Sequence, residues 1–507
     1  MSIELVARAE GNRERLAIVA PEHTATYADL LAASAHVAGR LLGDVRDLAG
    51  RRIAYLVAPG ADHVAALWGI WRAGGMAVPL AMSHPARELE LLIDDADPVC
   101  LIADAAHTER LVGIAAERGR TLHAIEALVE PAAAELPRVA DSCAALMVYT
   151  SGTTGLPKGV VTTHAQIASQ VGSVSGAWGW RADDRILHVL PLHHVHGLQV
   201  ALGSALFSGA CCEFLAPFDA AAVWERFASR EITVFMAVPT VYRRLVTAWE
   251  AGRERQTKWA QGARSLRLMV SGSAALPAGL LERWAAITDQ RLLERYGMTE
   301  IGMALSNPLD GERRAGSVGQ ALPGVELRVV DAEGADCEPG TTGELVVRGP
   351  QVFAEYWRRE EETAAAFRDG WFLTGDEAVL DDGYYRIVGR RSVDIIKTGG
   401  YKISALEIEE VLRGHPAIQE IAVLGVDDPD WGERVCAAVE LALDGTVPEE
   451  IRAGADEQLS AEIRDWARAQ LAPYKVPKQV RFVDELPRNA MGKVMKPALR
   501  ELFQDRA

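Results

Sequence analysis

From about Arg52 to Gly297 the chain alternates short apolar runs with amphipathic stretches. Arg52–Val57, Met76–Leu80 and Val99–Ala103 read as strands, with Ala61–Arg72 and Ala86–Ala96 between them carrying apolar residues at helical spacing. The same rhythm returns in Ile186–Leu190, Val200–Phe207, Cys211–Leu215, Ala220–Ser229 and Thr233–Val238. It continues through Thr240–Ala248, Leu266–Ser271, Leu280–Ile287 and Arg291–Arg295. Strand–helix alternation predicts parallel sheets covered by helices, and this run is long enough for two such sheets packed together.

The pattern then changes. Val325–Val330 and Gly343–Arg348 read as strands with a turn-rich segment and no helix between them, which predicts an antiparallel patch or small barrel. After Arg390 the mixture is new: helices over Ala405–Arg413 and Ala461–Leu471, strands over Glu420–Val426, Val435–Leu441 and Val480–Val483. The expected fold class is α/β. A large N-terminal domain (1–390) holds two packed, mostly parallel sheets plus a β-barrel-like part at about 310–390. A small α+β domain follows at 391–507. Pro131–Ala140 reads as a surface loop.

Composition narrows the function. The chain has 507 residues and a formal net charge of −17, so a phosphate backbone is repelled and nucleic acid is excluded as a main partner. The apolar stretch Ala65–Met82 is interrupted by Arg72, Gly74 and Gly75, which excludes a membrane span. Cys100, Cys143, Cys211, Cys212, Cys337 and Cys436 show no CxxC spacing, and Cys211-Cys212 lies in an apolar run. The N-terminus carries Glu4 and Glu10 and reads as neither a secretory signal nor an acid-poor transit peptide. A reduced, cytoplasmic compartment is the expectation. Monomer and homodimer both stay open.

The strand-like run Ala144–Tyr149 leads into Thr150-Ser151-Gly152-Thr153-Thr154-Gly155-Leu156-Pro157-Lys158-Gly159. Gly152, Gly155 and Gly159 let backbone N–H groups approach phosphate oxygens. Thr150, Ser151, Thr153 and Thr154 add hydroxyl donors, and Lys158 adds a point charge. The spacing is not that of a Walker A loop, which needs a glycine just before the lysine and Ser or Thr just after it. Further along, Tyr296 offers an aromatic face for a purine and Thr299 a hydroxyl for phosphate. Glu300 is a hard oxygen ligand for Mg²⁺, although a solvated carboxylate on a β-turn would look the same.

Taken in order, these motifs resemble the acyl-adenylate-forming superfamily, in its acyl-CoA synthetase branch, over nearly the whole chain. The resemblance implies ATP, Mg²⁺ and coenzyme A as cofactor and substrates, and a C-terminal domain that rotates between two half-reactions. It implies an ATP site of Thr150–Gly155, Lys158, Ser271, Gly272, Ser273, Ala274, Tyr296, Gly297, Met298, Thr299, Asp376, Arg390 and Lys493. Glu300 would hold the metal, and Lys493, in Met491-Gly492-Lys493-Val494, would bridge carboxylate and α-phosphate. Arg391 competes with Arg390 for the ribose or phosphate contact. Gly399, Gly400 and Tyr401 would meet coenzyme A.

In Pro191-Leu192-His193-His194-Val195-His196-Gly197, three histidines could suggest a metal, but by resemblance His194 falls at the wall of the acyl pocket. His194, with Thr299, Glu300 and Lys493, completes the expected catalytic set. His196 and Ser271 join the acid pocket.

Arg295, directly before Tyr296, bears most on the acid. A guanidinium in that pocket suits a dicarboxylate held in bidentate fashion. Leu293–Glu300, Ser306–Pro308, Gly311–Arg313 and Ser392–Ser404 resemble malonyl-CoA synthetases. An ion pair of Arg295 with Glu294, or with another acid on the sheet edge, is the plain alternative. Malonate and methylmalonate both fit this expectation; an acyl-CoA synthetase for another short or medium carboxylic acid, loading of a carrier-protein thiol, and nucleotide binding without catalysis remain as other readings.

Overall fold

The computed structural model describes residues 3–503 other than 22, 133–134, 151–156, 392, 399–400, 429–430, 443–456 and 490–491. Two large sheets dominate. The first has nine strands, in the order Gln320–Ala321, Gly302–Ser306, Leu293–Met298, Leu268–Ser271, Val234–Ala237, Arg185–His188, Cys211–Phe214, Leu16–Val19 and Thr24–Thr26. Its middle is parallel and its edges antiparallel. The second has seven: Glu355–Tyr356, Lys158–Thr163, Ala144–Thr150, Met76–Pro79, Arg52–Leu56, Cys100–Ala103 and Thr121–Ala124. It is parallel from Ala144–Thr150 onward and antiparallel at Lys158–Thr163 and Glu355–Tyr356.

One hydrophobic core joins the two sheets. It takes in Ile18, Val234, Val270 and Leu293 from the first, and Ile53, Tyr55, Leu146 and Val148 from the second. The helices Tyr27–Leu42 and Ala61–Arg72 cross within it so closely that a Cβ at Gly69 would sit 2.4 Å from Val37. Helix Ala86–Ala96 buries Leu89, Leu92, Ile93 and Ala96, the i, i+3, i+4, i+7 stripe of an amphipathic helix. Each large apolar side chain so buried contributes about 1.5–3 kcal/mol.

The β-rich part is an antiparallel sheet in the order Glu326–Val330, Thr342–Arg348, Trp371–Asp381 and Phe367–Arg368, with Tyr384–Arg390 also on Trp371–Asp381. It is open among the described residues rather than closed into a barrel. Beyond Arg390 a five-stranded sheet and the helices Ala405–Arg413 and Glu457–Arg468 build a core of their own around Ile408, Val423 and Ile463.

Two local readings change. The strand expected over Arg291–Arg295 runs over Leu293–Met298, because Tyr296, Gly297 and Met298 pair antiparallel with Gly302–Ser306. His196–Gly203 winds as a π-helix, a rare form frequent at functional sites. No described helix is long and apolar enough to cross a membrane.

Candidate active site

The site gathers where the C-terminal ends of the first sheet's strands meet the strand Trp371–Asp381. Asp376 and Arg390 sit opposite each other across an antiparallel pair. Arg390 Nε lies 3.1 Å from Asp376 Oδ1, and the Tyr296 hydroxyl donates to Asp376 Oδ2 at 2.6 Å. Burial, then the charge of Asp376, raises the Tyr296 pKa well above its ordinary value, so the phenol stays protonated and donates. Arg391 turns elsewhere, pairing with Glu344 at 3.1 Å and Glu377 at 3.3 Å. Geometry thus separates the two arginines: Arg390 faces Tyr296 and Asp376, and Arg391 does not.

Glu300 is 6% exposed in the turn after Met298, and its carboxylate accepts from the Tyr356 hydroxyl at 2.9 Å. Burial raises its pKa, with the Tyr356 hydrogen bond acting against that. Lys158 opens the strand Lys158–Thr163 and holds its Nζ 4.9 Å from the Tyr356 ring centroid. Thr150 closes the partner strand, opposite Lys158. Ser151, Gly152, Thr153, Thr154 and Gly155 lie outside the described residues. Thr299 is half-buried beside Glu300.

Arg295 is 3% exposed, and its Nη2 donates to Ser273 Oγ at 3.4 Å. Its Nε is buried with no hydrogen-bond partner. Burial alone lowers its pKa to about 9, and it pairs with no carboxylate among the described residues. Glu294, one residue earlier, faces the other side of the strand and accepts from the Leu276 N–H at 3.2 Å. The Arg295–Glu294 ion pair is therefore not made. Gly272 leaves room for the guanidinium: a Cβ there would lie 2.6 Å from Arg295 Cζ and force it to shift. Ser273 takes the left-handed conformation at φ 70° and turns its hydroxyl toward both Arg295 and His196 Nδ1, the latter 3.1 Å away. Ser271 Oγ and His196 Nε2 are buried without partners. Ala274 is exposed at the rim.

Burial lowers the His194 pKa to about 4, and His196 falls well below its ordinary value through burial and the nearby Arg295 charge. Both imidazoles are neutral near pH 7. The His194 ring lies 4.0 Å from that of His193. Arg295, Ser273 and His196 thus form a polar cluster in which the guanidinium is the one charged side chain of the three.

Lys493 is exposed in a turn closed by Asn489 N–H to Lys493 O at 2.9 Å and Lys493 N–H to Asn489 Oδ1 at 3.0 Å. Gly492 packs on the large part: a Cβ there would lie 2.9 Å from Thr240 Oγ1. Glu420 pairs with Arg243 across the same contact and lies 3.6 Å from Arg488. Lys496 is buried between Asp394 at 2.7 Å and Glu409 at 2.8 Å. Gly399 and Gly400 lie outside the described residues. Tyr401, 54% exposed, stacks on Tyr474 at 4.2 Å instead of joining the pocket.

Sequence reasoning missed Tyr356, Glu420 and Lys496. None lies in a recognisable motif, and each acquires its partners only through folding.

A profile of the AMP-binding enzymes matches residues 5–357, and one of the AMP-binding enzyme C-terminal domain matches 407–493. The chain belongs to the AMP-binding enzyme family. It is 44% identical to a mitochondrial malonate–CoA ligase of Bos taurus, over 99% of this chain and 91% of that protein. It superposes on ATP-bound MatB from Rhodopseudomonas palustris with a TM-score of 0.89 at 36% identity, covering 100% of this chain and 99% of that one. With a malonyl-CoA ligase ternary product complex holding methylmalonyl-CoA and AMP, the TM-score is 0.70 at 38% identity, covering 96% and 100%.

The cytoplasmic expectation is corrected by these relatives, since the mammalian ones are named as mitochondrial. Unpaired cysteines fit any reduced compartment and do not separate one from another.

Proposed function

We propose that this chain is an AMP-forming acid–CoA ligase that activates malonate as malonyl-AMP and transfers the acyl group to coenzyme A. Arg295 carries this reading. An unpaired buried guanidinium costs several kcal/mol. A second carboxylate on the substrate offsets that cost, and a monocarboxylate leaves it in place. Ser273, held on both Arg295 and His196, orients the guanidinium. The named activity of the 44% identical relative supports the same acid.

In the first half-reaction a carboxylate oxygen attacks the α-phosphorus of ATP, the bond to pyrophosphate breaks, and acyl-AMP forms. Both reactants are anions, so Lys158 at the phosphates and Lys493 between carboxylate and α-phosphate offset repulsion. Asp376 accepts from ribose hydroxyls, with Tyr296 and Arg390 fixing its two oxygens. The buried carboxylate of Glu300, on the phosphate side, has the hard-oxygen chemistry that Mg²⁺ takes; the ion would neutralise phosphate charge there. In the second half-reaction a thiolate attacks the acyl carbon and AMP leaves.

We place the joint between the two parts at Arg390–Asp394, with residues 1–390 and 391–507 as the domains. The present arrangement, with Gly492 on Thr240, serves the first step. The higher agreement with ATP-bound MatB than with the product complex supports this. Rotation of the smaller domain would bring Gly399, Gly400 and Tyr401 to coenzyme A. Malonate-dependent exchange of labelled pyrophosphate into ATP tests the first half-reaction; no exchange above the acid-free rate would contradict it.

A further inference from the structure

Tyr356 belongs to none of the motifs that carry the chemistry. It lies in the two-residue strand Glu355–Tyr356, on the edge of the seven-stranded sheet beside Lys158–Thr163. Its ring lies under the Lys158 ammonium, and its hydroxyl donates to Glu300 Oε1. The main chain repeats both ties. The Trp357 N–H donates to Gly159 O at 2.7 Å, and the Phe353 N–H donates to Glu300 O at 2.7 Å. One short stretch, 353–357, is thus bonded both to the exit of the phosphate loop and to the Glu300 turn.

The tyrosine is itself fixed. Its N–H donates to Thr363 Oγ1 at 3.0 Å, and its ring packs 4.7 Å from that of Phe353. A buried tyrosine needs a hydrogen-bond partner, and a main-chain carbonyl would suffice. Here the partner is a buried carboxylate, that of Glu300. Hydrogen bonds of this kind orient metal-binding carboxylates.

We infer that Tyr356 is a positioning residue for Mg-ATP: its hydroxyl orients Glu300 and its ring face seats Lys158, fixing the distance between cation and phosphate contacts. This rests on the reading that Glu300 holds Mg²⁺ and Lys158 meets the phosphates. The two contacts separate by substitution. Tyr356→Phe keeps the ring and removes the hydroxyl, and Tyr356→Leu removes both.

The test is ATP binding by calorimetry on the full chain, over a Mg²⁺ series and in EDTA. Tyr356→Phe is expected to raise the half-saturating Mg²⁺ concentration about tenfold, the usual effect of losing a carboxylate's orienting partner, with binding in EDTA unchanged. Tyr356→Leu is expected to weaken binding in EDTA as well, by about threefold, through loss of the cation–π contact. Glu300→Gln is the reference variant. If Glu300→Gln shifts the Mg²⁺ dependence and Tyr356→Phe leaves it within about twofold, the inference is overturned while the metal reading stands. If Glu300→Gln shifts nothing, the metal reading itself fails. A tyrosine that merely packs would lower the unfolding temperature without moving the Mg²⁺ series.

Discussion

The Arg295 guanidinium stands 3.4 Å from the Ser273 hydroxyl and pairs with no carboxylate among the described residues. The chain keeps a desolvated cation beside Ser273, and in the proposed acid pocket a second carboxylate of the substrate would supply its counter-charge. Arg295→Leu should therefore lower kcat/KM for malonate by at least about 100-fold, the scale of losing a buried charge-assisted pair. Activity with propionate or butyrate should rise or hold. The variant should fold, since an apolar side chain there removes a buried charge. Steady-state kinetics with the three acids check this; an unchanged preference for malonate would contradict the role of Arg295.

The same residue gives a pH signature. Burial lowers the Arg295 pKa, yet a guanidinium keeps its proton across the working range. His194 and His196 are neutral near pH 7 and add no slope of their own. The ratio of kcat/KM for malonate over propionate should therefore stay level between about pH 7 and 9. A ratio that falls across that window, as a titrating group in its place would make it, would count against the assignment.

Lys493→Ala should separate the half-reactions. Acyl-AMP formation, read as pyrophosphate exchange, should drop by about 100-fold or more, and thioester formation from supplied malonyl-AMP should persist. Loss of both would argue against two orientations of the smaller domain.

Glu294 tests the strand beneath the site. Burial, against the Leu276 hydrogen bond, raises its pKa to about 8. Between the ordinary carboxylate range and about pH 8 the native state holds a proton that the unfolded chain has lost. This contribution is thus present at low pH and disappears as pH rises through that window. Glu294→Gln keeps the acceptor for the Leu276 N–H and removes the titration. It should match the parent near pH 5 and exceed it near pH 8 by a few kcal/mol, read by denaturant unfolding. Parallel pH curves would contradict the buried, protonated carboxyl.

Much of this was legible in the sequence, for identifiable reasons. Ala86–Ala96 and Ala405–Arg413 fold over the residues their apolar spacing marks, because each buries one continuous stripe, while Ala61–Arg72 folds as expected though it is buried all round from His63 to Trp71. The strand through Tyr296 was misjudged because its last residues pair with Gly302–Ser306, a partner that periodicity does not reveal. The π-helix at His196–Gly203 is buried throughout and carries no amphipathic signal. Arg295, Tyr296, Asp376 and Arg390 were readable as types in ordered motifs. Ser273 as the seat of Arg295, and Tyr356 between Lys158 and Glu300, arise only from tertiary contact. The Lys496–Asp394–Glu409 cluster joins three separated segments and left no local trace.

The central claim is that this pocket selects a dicarboxylate for adenylation and transfer to coenzyme A. AMP release across a panel of acetate, propionate, butyrate, malonate and methylmalonate, with coenzyme A present, tests it most directly. Malonate should exceed the monocarboxylates by about 100-fold in kcat/KM, the scale set by one buried charge pair. A monocarboxylate turned over as well as malonate would contradict it.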